Sequence, residues 1–489
     1  MEHPDTTKTS EVLQRLPSID EIAGSEALKK IRSETGNSLL LDMARNAVNL
    51  LRIEIREFVS SEKNGHEHLS RPKLLAKAIE TIENAWLVKQ NARMRRVINA
   101  TGVIIHTNLG RAPLSDNAKA ALLNDASGYC TLEYDVETGK RGKRGAYAEK
   151  LLAEITGAEN AVIVNNCAAA AFLVLKVFAD HGEVIVSRGE LVEIGGDFRV
   201  PDVLVQSGAV LREVGTTNRT KLSDYEKAIG DSTSMILKVH PSNYKIIGFT
   251  EKPKLADLAV LAHRNNILLY EDAGSGAIFS LDKYGLDDEP VISRSISAGT
   301  DIVSFSGDKL LGGPQSGLIV GRYDLIEQIR RHPLYRALRI SKLNYAALEA
   351  TLNSYQRGTA IEDIPVLRML SISSEQLAAR TNAFAQKLLE SLHADSALRV
   401  EVVSGSSVVG GGAAPNVERE TSLLALDHSK LSAVEIENHL RSANTPVIAR
   451  IVEDKVLIDL RTIFESDESE LLTILTNAGK LNFAAENHS

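Results

Sequence analysis

Cysteine is nearly absent from this chain: its 489 residues include two, Cys130 and Cys167. Two thiols make neither a disulfide framework nor a four-thiolate zinc site, so nothing argues for secretion. Long apolar runs are missing as well. The most hydrophobic stretch, Ala168–Ala179, is far shorter than a bilayer requires and contains Lys176. The opening residues, MEHPDTTKTSEVLQRL, lack the basic-then-apolar pattern of a signal peptide. These absences lead us to expect a cytoplasmic protein with no membrane partner. An excess of positive charge is also lacking. A net charge of −8 excludes a general polyanion binder, so any RNA contact must come from local patches. Arg93/Arg95/Arg96, the loop Lys140–Arg144 and the group Arg330/Arg331/Arg336/Arg339 are candidates, although solvated surface is the commoner reading of such a cluster.

What is present is the mixture of a soluble globular protein, 43% hydrophobic and 25% charged. The length suits two or three domains. From about Glu11 to Arg96 apolar residues recur at helical spacing, as in Leu13, Leu16, Ile19 and Ile22, with the polar stretch Ser60–Ser70 separating helices. A helical domain over 1–96 is expected. Short apolar runs then alternate with helix-like segments: Ala161–Val164, Glu183–Val186, Val210–Val214, Ser234–Val239, Ile267–Tyr270, Asp301–Phe305 and Leu318–Val320. This texture predicts a large α/β domain over 97–342, its mostly parallel sheet covered by helices on both faces. A long helix, Leu343–Tyr355, leads into a smaller α+β domain over 343–489, with the glycine-rich loop Gly410-Gly411-Gly412. In such sheets ligands gather at the carboxyl ends of the strands, so the residues just past each apolar run matter most.

Four of those positions carry suitable chemistry. Lys309 follows the run Asp301–Phe305 across Ser306-Gly307-Asp308, flanked by glycines that let the backbone approach a flat group. Asp272 follows Ile267–Tyr270, one strand–helix–strand unit earlier; alternation points its rival Glu271 the other way. Asn165-Asn166-Cys167-Ala168-Ala169 ends a strand and opens an Ala-rich helix, presenting free N–H groups to a phosphate, or simply an Asn-capped helix. Asn243 lies past Ser234–Val239. An amine, a carboxylate and a phosphate cradle are what pyridoxal 5′-phosphate (PLP) requires: a Schiff-base partner, an anion to keep the pyridine nitrogen protonated, and an anion site. The expected set is Lys309 as catalytic and Schiff-base lysine and Asp272 at the ring nitrogen. Ser306, Asn166, Cys167 and Ala168 would hold the phosphate, and Asn243 the cofactor's 3′-oxygen or a substrate oxyanion.

Order and spacing resemble the aspartate-aminotransferase-like, fold-type-I PLP-dependent transferases. Closer likeness appears in Asn99–Arg111 (NATGVIIHTNLGR), Ser187–Gly196 (SRGELVEIGG), Glu213–Thr220 (EVGTTNRT) and Ser304–Gly317 (SFSGDKLLGGPQSG). These runs resemble bacterial selenocysteine synthases, the L-seryl-tRNA(Sec) selenium transferases, with similarity reaching from Leu16 to Arg461. The resemblance implies a PLP enzyme that converts seryl-tRNA(Sec) to selenocysteinyl-tRNA(Sec) with selenophosphate. It further implies a homo-oligomer, commonly a decamer built from dimers, whose N-terminal domain grips the tRNA. Arg111, Arg336 and Arg339, with Asn243, match positions that hold the selenium donor and the reacting end of the substrate. One departure stands out: Cys167 occupies the place of a third Asn in the cradle.

From the residues themselves, Arg336 and Arg339 are three apart and on a helix would share a face and clamp one anion. The basic loop Glu137–Gly145, with Arg141 and Arg144, would reach either a neighbouring cofactor phosphate or the tRNA acceptor arm. Two rival functions are a PLP lyase acting on a free amino acid or amino sugar phosphate, and a non-catalytic RNA-binding scaffold. The helical N-terminal domain argues against the first, and the Lys309–Asp272 pair against the second.

Overall fold

The structure is a computed structural model that describes residues 12–60, 70–194, 198–414 and 417–480. The chain forms two compact units, Met1–Arg96 and Val97–Ser489.

The first unit is helical: α1 (Ile19–Gly24), α2 (Lys29–Ser60) and α3 (Arg71–Asn91). Ser18 and Glu21 start α1 by reciprocal capping: Ser18 Oγ accepts from the Glu21 N–H at 3.1 Å, and the Glu21 carboxylate accepts from the Ser18 N–H at 3.4 Å. Arg71 at the head of α3 binds that carboxylate at 2.5 Å and holds its pKa below the usual range. Gly36, at φ +74°, breaks α2 near its start. The stripes Leu40, Ala44, Leu51 and Ile55 of α2 and Ala78, Ile82 and Trp86 of α3 close a core, as the helical spacing predicts. Of the expected separator Ser60–Ser70, residues 61–69 lie outside the described residues.

The second unit is built on a seven-stranded sheet. In chain order its strands are β1 (Asn160–Val164), β2 (Glu183–Ser187), β3 (Val210–Val214), β4 (Thr233–Val239), β5 (Leu268–Gly274), β6 (Ile302–Ser306) and β7 (Gly317–Gly321). The spatial order is β1-β7-β6-β5-β4-β2-β3, with β7 antiparallel to both neighbours and the other pairs parallel. The strands β6 and β7 are buried along their whole length, which is why they read as mainly apolar runs, with Ser304 and Ser306 the polar residues of β6. Strand β3 lies at the edge and exposes Arg212 and Glu213. One face packs Leu173 and Val174 against Val162, Leu237 and Ile319; the other packs Leu151, Leu348 and Leu352 against Ile163, Val303 and Phe305.

A four-stranded antiparallel sheet follows: β8 (Leu398–Val408), β9 (Glu418–His428), β10 (Arg450–Val452) and β11 (Lys455–Asp459), in the order β8-β9-β11-β10. The stretch that opens this unit is tied to that sheet. Ile98–Asn99 pairs in parallel with Val447–Ile448, and the Ile104 and Ile105 N–H groups donate to the Val408 and Val409 carbonyls at 3.0 and 2.7 Å. Hydrogen bonds between residues so distant in sequence therefore join the two domains that the sequence divides at 342/343. No helix among the described residues is long and apolar enough to cross a membrane.

Candidate active site

Lys309 stands on a tight turn that continues β6. The Gly307 N–H donates to the Ser316 carbonyl at 2.9 Å and the Gly313 N–H to the Gly307 carbonyl at 2.8 Å, folding the chain back toward β7. A Cβ on Gly307 would meet Ser316 Oγ at 2.1 Å, so the turn requires glycine there. Lys309 is 7% exposed. Gly412 of the glycine-rich loop lies against it: at φ +85°, a Cβ on Gly412 would sit 2.9 Å from Lys309 Nζ.

Asp272 lies inside β5 rather than after it. The strand runs on to Gly274 because Asp272 pairs with Val239 on one side and Ser304 on the other. Its Oδ1 accepts from Ser304 Oγ and Cys167 Sγ, both at 3.4 Å, and Ser304 in turn bonds the Tyr270 hydroxyl at 2.7 Å. Burial raises the Asp272 pKa, against the pull of Cys167, Lys309 and Ser304. Burial and the nearby Asp272 charge push the Cys167 thiol well up, so it stays protonated as a donor. Glu271 points away from this group. Burial raises its pKa too, and its neighbours are Ser295, Lys238 and His240.

The helix α4 (Cys167–Phe178) begins at the end of β1. Asn166 Oδ1 caps it by accepting from the Ala169 N–H at 2.8 Å, and the Asn166 carbonyl accepts from the Ala170 N–H at 3.1 Å. The side chain of Asn166 is thus an ordinary helix cap, and the N–H groups of Cys167 and Ala168 are the ones left to a ligand. Gly317 brings β7 against this point, where a Cβ would lie 2.0 Å from the Asn166 carbonyl oxygen. A buried amine, a largely enclosed carboxylate and free N–H groups at a 12-residue helix N-terminus fit PLP.

The remaining candidates fall in different settings. Ser306, expected at the phosphate, instead donates to Asp308 Oδ1 at 2.7 Å. Asp308 Oδ2 binds Arg111 Nη1 at 2.8 Å, and the Asp308 carbonyl accepts from the Ala112 N–H at 3.2 Å, so Arg111 is held next to Lys309. Asn243 Nδ2 donates to the Glu193 carbonyl at 2.6 Å and its Oδ1 is buried without a partner, which leaves an acceptor rather than the expected donor.

Arg336 lies on α5 (Pro333–Ala337), but Arg339 does not, because the Leu338 N–H closes the helix on the Leu334 and Tyr335 carbonyls. The shared helical face therefore does not exist. The segment that carries them is instead tied to the cradle by backbone: the Asn165 N–H donates to the Leu338 carbonyl at 3.0 Å. Neither arginine pairs with a carboxylate among the described residues, and Arg339 Nε is buried without a partner. Arg141 and Arg144 both bind Glu133, at 2.7 and 2.9 Å, and Arg144 also reaches the Ile340 carbonyl at 2.7 Å.

The sequence pattern of the L-seryl-tRNA selenium transferase family matches residues 97–464. The chain belongs to this family. It is 45% identical to the L-seryl-tRNA(Sec) selenium transferase of Alkaliphilus metalliredigens over 470 residues, covering 96% of this chain and 99% of that one. It is likewise 45% identical to that of Aquifex aeolicus over 457 residues, covering 93% and 96%. Among solved structures, D-glucosaminate-6-phosphate ammonia-lyase superposes with a TM-score of 0.54 at 21% identity, covering 80% of this chain and 98% of that chain, which shows a shared fold. An α/β fold with a helical N-terminal region is the one expected.

Within this L-seryl-tRNA selenium transferase fold, three site residues escaped the sequence reading. Asp308 reads in the sequence only as part of a turn, although a carboxylate adjoining the lysine is a visible signal. Ser304 lies mid-strand, where alternation alone placed it on the Asp272 side. Gly412 belongs to the glycine-rich loop, and nothing local ties it to a lysine 103 positions earlier.

Proposed function

We propose that this chain carries out the reaction for which its family is named, turning seryl-tRNA(Sec) into selenocysteinyl-tRNA(Sec) with PLP as cofactor and selenophosphate as selenium donor. The observation that carries this is the convergence of Lys309, Asp272 and the α4 N-terminus at neighbouring strand ends in a chain of that family. When bound, PLP supplies an aldehyde carbon and a protonated pyridine ring that makes the Cα–H of an attached amino acid acidic. Lys309 would meet the aldehyde, Asp272 the ring N–H, the Cys167 and Ala168 N–H groups the phosphate, and Asn243 the ring substituents.

Lys309 Nζ takes the proton from the serine Cα and, as an ammonium, returns one to the departing hydroxyl, which leaves as water. Its burial keeps bulk water from competing for that proton. Asp272, ionised against a cation, is relieved of the burial penalty that raises its pKa in the free protein. Selenium then bonds to Cβ while a proton returns to Cα through Lys309, and water cleaves the Se–P bond, leaving the selenol and inorganic phosphate. Arg111, Arg336 and Arg339 hold that phosphate-like donor through their guanidinium groups. The helical unit 1–96 grips the tRNA, the loop bearing Arg141 and Arg144 lies beside the arginine segment, and the chain works in the cytoplasm as a homo-oligomer, a decamer built from dimers.

The test offers the PLP-loaded protein either seryl-tRNA(Sec) or free serine, each with selenophosphate. Selenocysteinyl-tRNA from the first and no product from the second is the expected outcome. Turnover of free serine alone would replace this reading with that of a small-molecule lyase.

A further inference from the structure

The reaction above leaves one buried acid without a use. Glu149, on the helix Ala146–Thr156, is 2% exposed and is met by three groups. Arg330 Nη1 donates to both of its oxygens at 2.9 Å, Lys143 Nζ pairs with Oε2 at 2.9 Å, and the Tyr335 hydroxyl donates to Oε1 at 3.4 Å. Arg330 is fixed in turn. Its Nε donates to Glu327 Oε1 at 2.9 Å and its Nη2 to the Ala161 carbonyl of β1 at 2.8 Å. The cluster thus joins the helices Ala146–Thr156 and Tyr323–Arg331, a strand of the sheet and the end of the basic loop, and it reaches α5 through Tyr335.

Tyr335 connects this cluster to the arginines. It precedes Arg336 on α5, and its buried ring lies under the Arg339 guanidinium, whose Cζ is 5.6 Å from the ring centroid. Burial first, and the Glu149 charge second, push the Tyr335 phenol up to about 12, so it stays a donor at neutral pH. Just past Arg339, the Ile340 carbonyl accepts from Arg144 Nη2 at 2.7 Å. The charges are balanced as well. The acids Glu149 and Glu327 face the cations Arg330 and Lys143, so the cluster sets no net negative charge against an anion arriving at Arg336 and Arg339.

We propose that Glu149 and Tyr335 are positioning residues of the selenium-donor site: the Glu149 carboxylate anchors the Tyr335 hydroxyl, and the Tyr335 ring orients the Arg339 guanidinium that meets the donor's phosphate-like oxygens. The inference rests on the proposed role of the arginines and deepens it. Arg336 and Arg339 share no helical face, so helix geometry does not aim both of them. A ring fixed by a buried carboxylate aims the second. A guanidinium binds an oxyanion through N–H groups that lie in its own plane, so a tilt of that plane weakens binding without removing any charge.

The experiment uses the full PLP-loaded chain, with inorganic phosphate as the probe in binding calorimetry and kinetics that vary selenophosphate and seryl-tRNA in turn. Tyr335→Phe keeps the ring and removes its tether. It weakens phosphate binding and raises KM for selenophosphate about threefold, the scale of one hydrogen bond, while kcat and KM for seryl-tRNA hold. Arg330→Met leaves the cluster with an excess negative charge and weakens phosphate binding to about the same extent. Adding Glu149→Gln to it restores the balance and returns the affinity to within about twofold of the parent. Parent affinity for phosphate in Tyr335→Phe overturns the inference, whatever its melting temperature does, and so does a double variant no better than Arg330→Met. Should Arg330→Met not fold, Tyr335→Phe decides alone. Replacing Arg336 and Arg339 together by Ala judges the underlying reading separately. If that leaves phosphate binding intact, the arginines are not the donor site; if it weakens binding while Tyr335→Phe does not, only the positioning role falls.

Discussion

The turn at Lys309 and the segment Arg336–Arg339 both serve one end of the same sheet, and they are built in opposite ways. Around Lys309 the polar side chains already have partners: Ser306 with Asp308, Asp308 with Arg111, Asp272 with Ser304 and Cys167. They ride on buried strands whose register is fixed by neighbours on each side. The arginine segment sits on a helix of five residues and the turn after it, and its guanidiniums pair with no carboxylate among the described residues. Groups that move protons have to be held still, which takes burial and satisfied hydrogen bonds. Groups that catch a diffusing anion must keep their donors free, and so stay near water.

Substitutions that break this contrast should fall in order of how rigidly each group is held. Lys309→Ala is expected to abolish selenocysteinyl-tRNA formation, by at least about 10³-fold, and with it the visible absorbance of bound PLP. Normal turnover would refute the assignment of Lys309. Gly412→Ala comes next. Its Cβ would press on Lys309 Nζ from a left-handed backbone, so kcat should drop about a hundredfold while tRNA binding holds.

Asp272→Asn separates free and loaded protein. Burial raises the folded Asp272 pKa above its unfolded value, so the folded state holds the proton longer. Its contribution is therefore favourable below the ordinary carboxylate pKa and is lost as pH rises through the folded value. At neutral pH the PLP-free variant should melt about 1–2 °C higher than the parent, yet bind PLP about 10–100-fold more weakly. Paired melting curves with and without PLP would expose either failure.

Replacing Arg336 and Arg339 together by Ala should raise KM for selenophosphate about tenfold and leave melting unchanged, because no internal ion pair is lost. A fall in stability would mean that these arginines are structural after all. Arg141→Ala removes half of an exposed pair with Glu133 and should shift melting by less than about 1 °C. If PLP retention falls instead, the loop reaches a neighbouring cofactor.

Much of this was readable in the residues, for identifiable reasons. The fully buried β6 and β7 announce themselves as apolar runs, and period-two alternation correctly separated Asp272 from Glu271. Errors arose where a local pattern was taken past its range. The spacing of Arg336 and Arg339 implied a shared face, but the Leu338 N–H ends the helix between them. Ser306 looked like a phosphate ligand because its partner, two residues on, was judged by the turn alone.

The sequence by itself pointed to the lysine, its carboxylate, the helix N-terminus and the mostly parallel sheet that carries them, because glycine turns, apolar runs and strand alternation are local signals. Only the tertiary structure decided that Gly412 abuts Lys309, that Asp308 ties Arg111 to the site, and that Ile98–Ile105 belongs with a sheet formed more than 300 residues later. Those contacts join positions far apart in the chain. Backbone hydrogen bonding and close packing between strands set them, and no spacing within either segment encodes them.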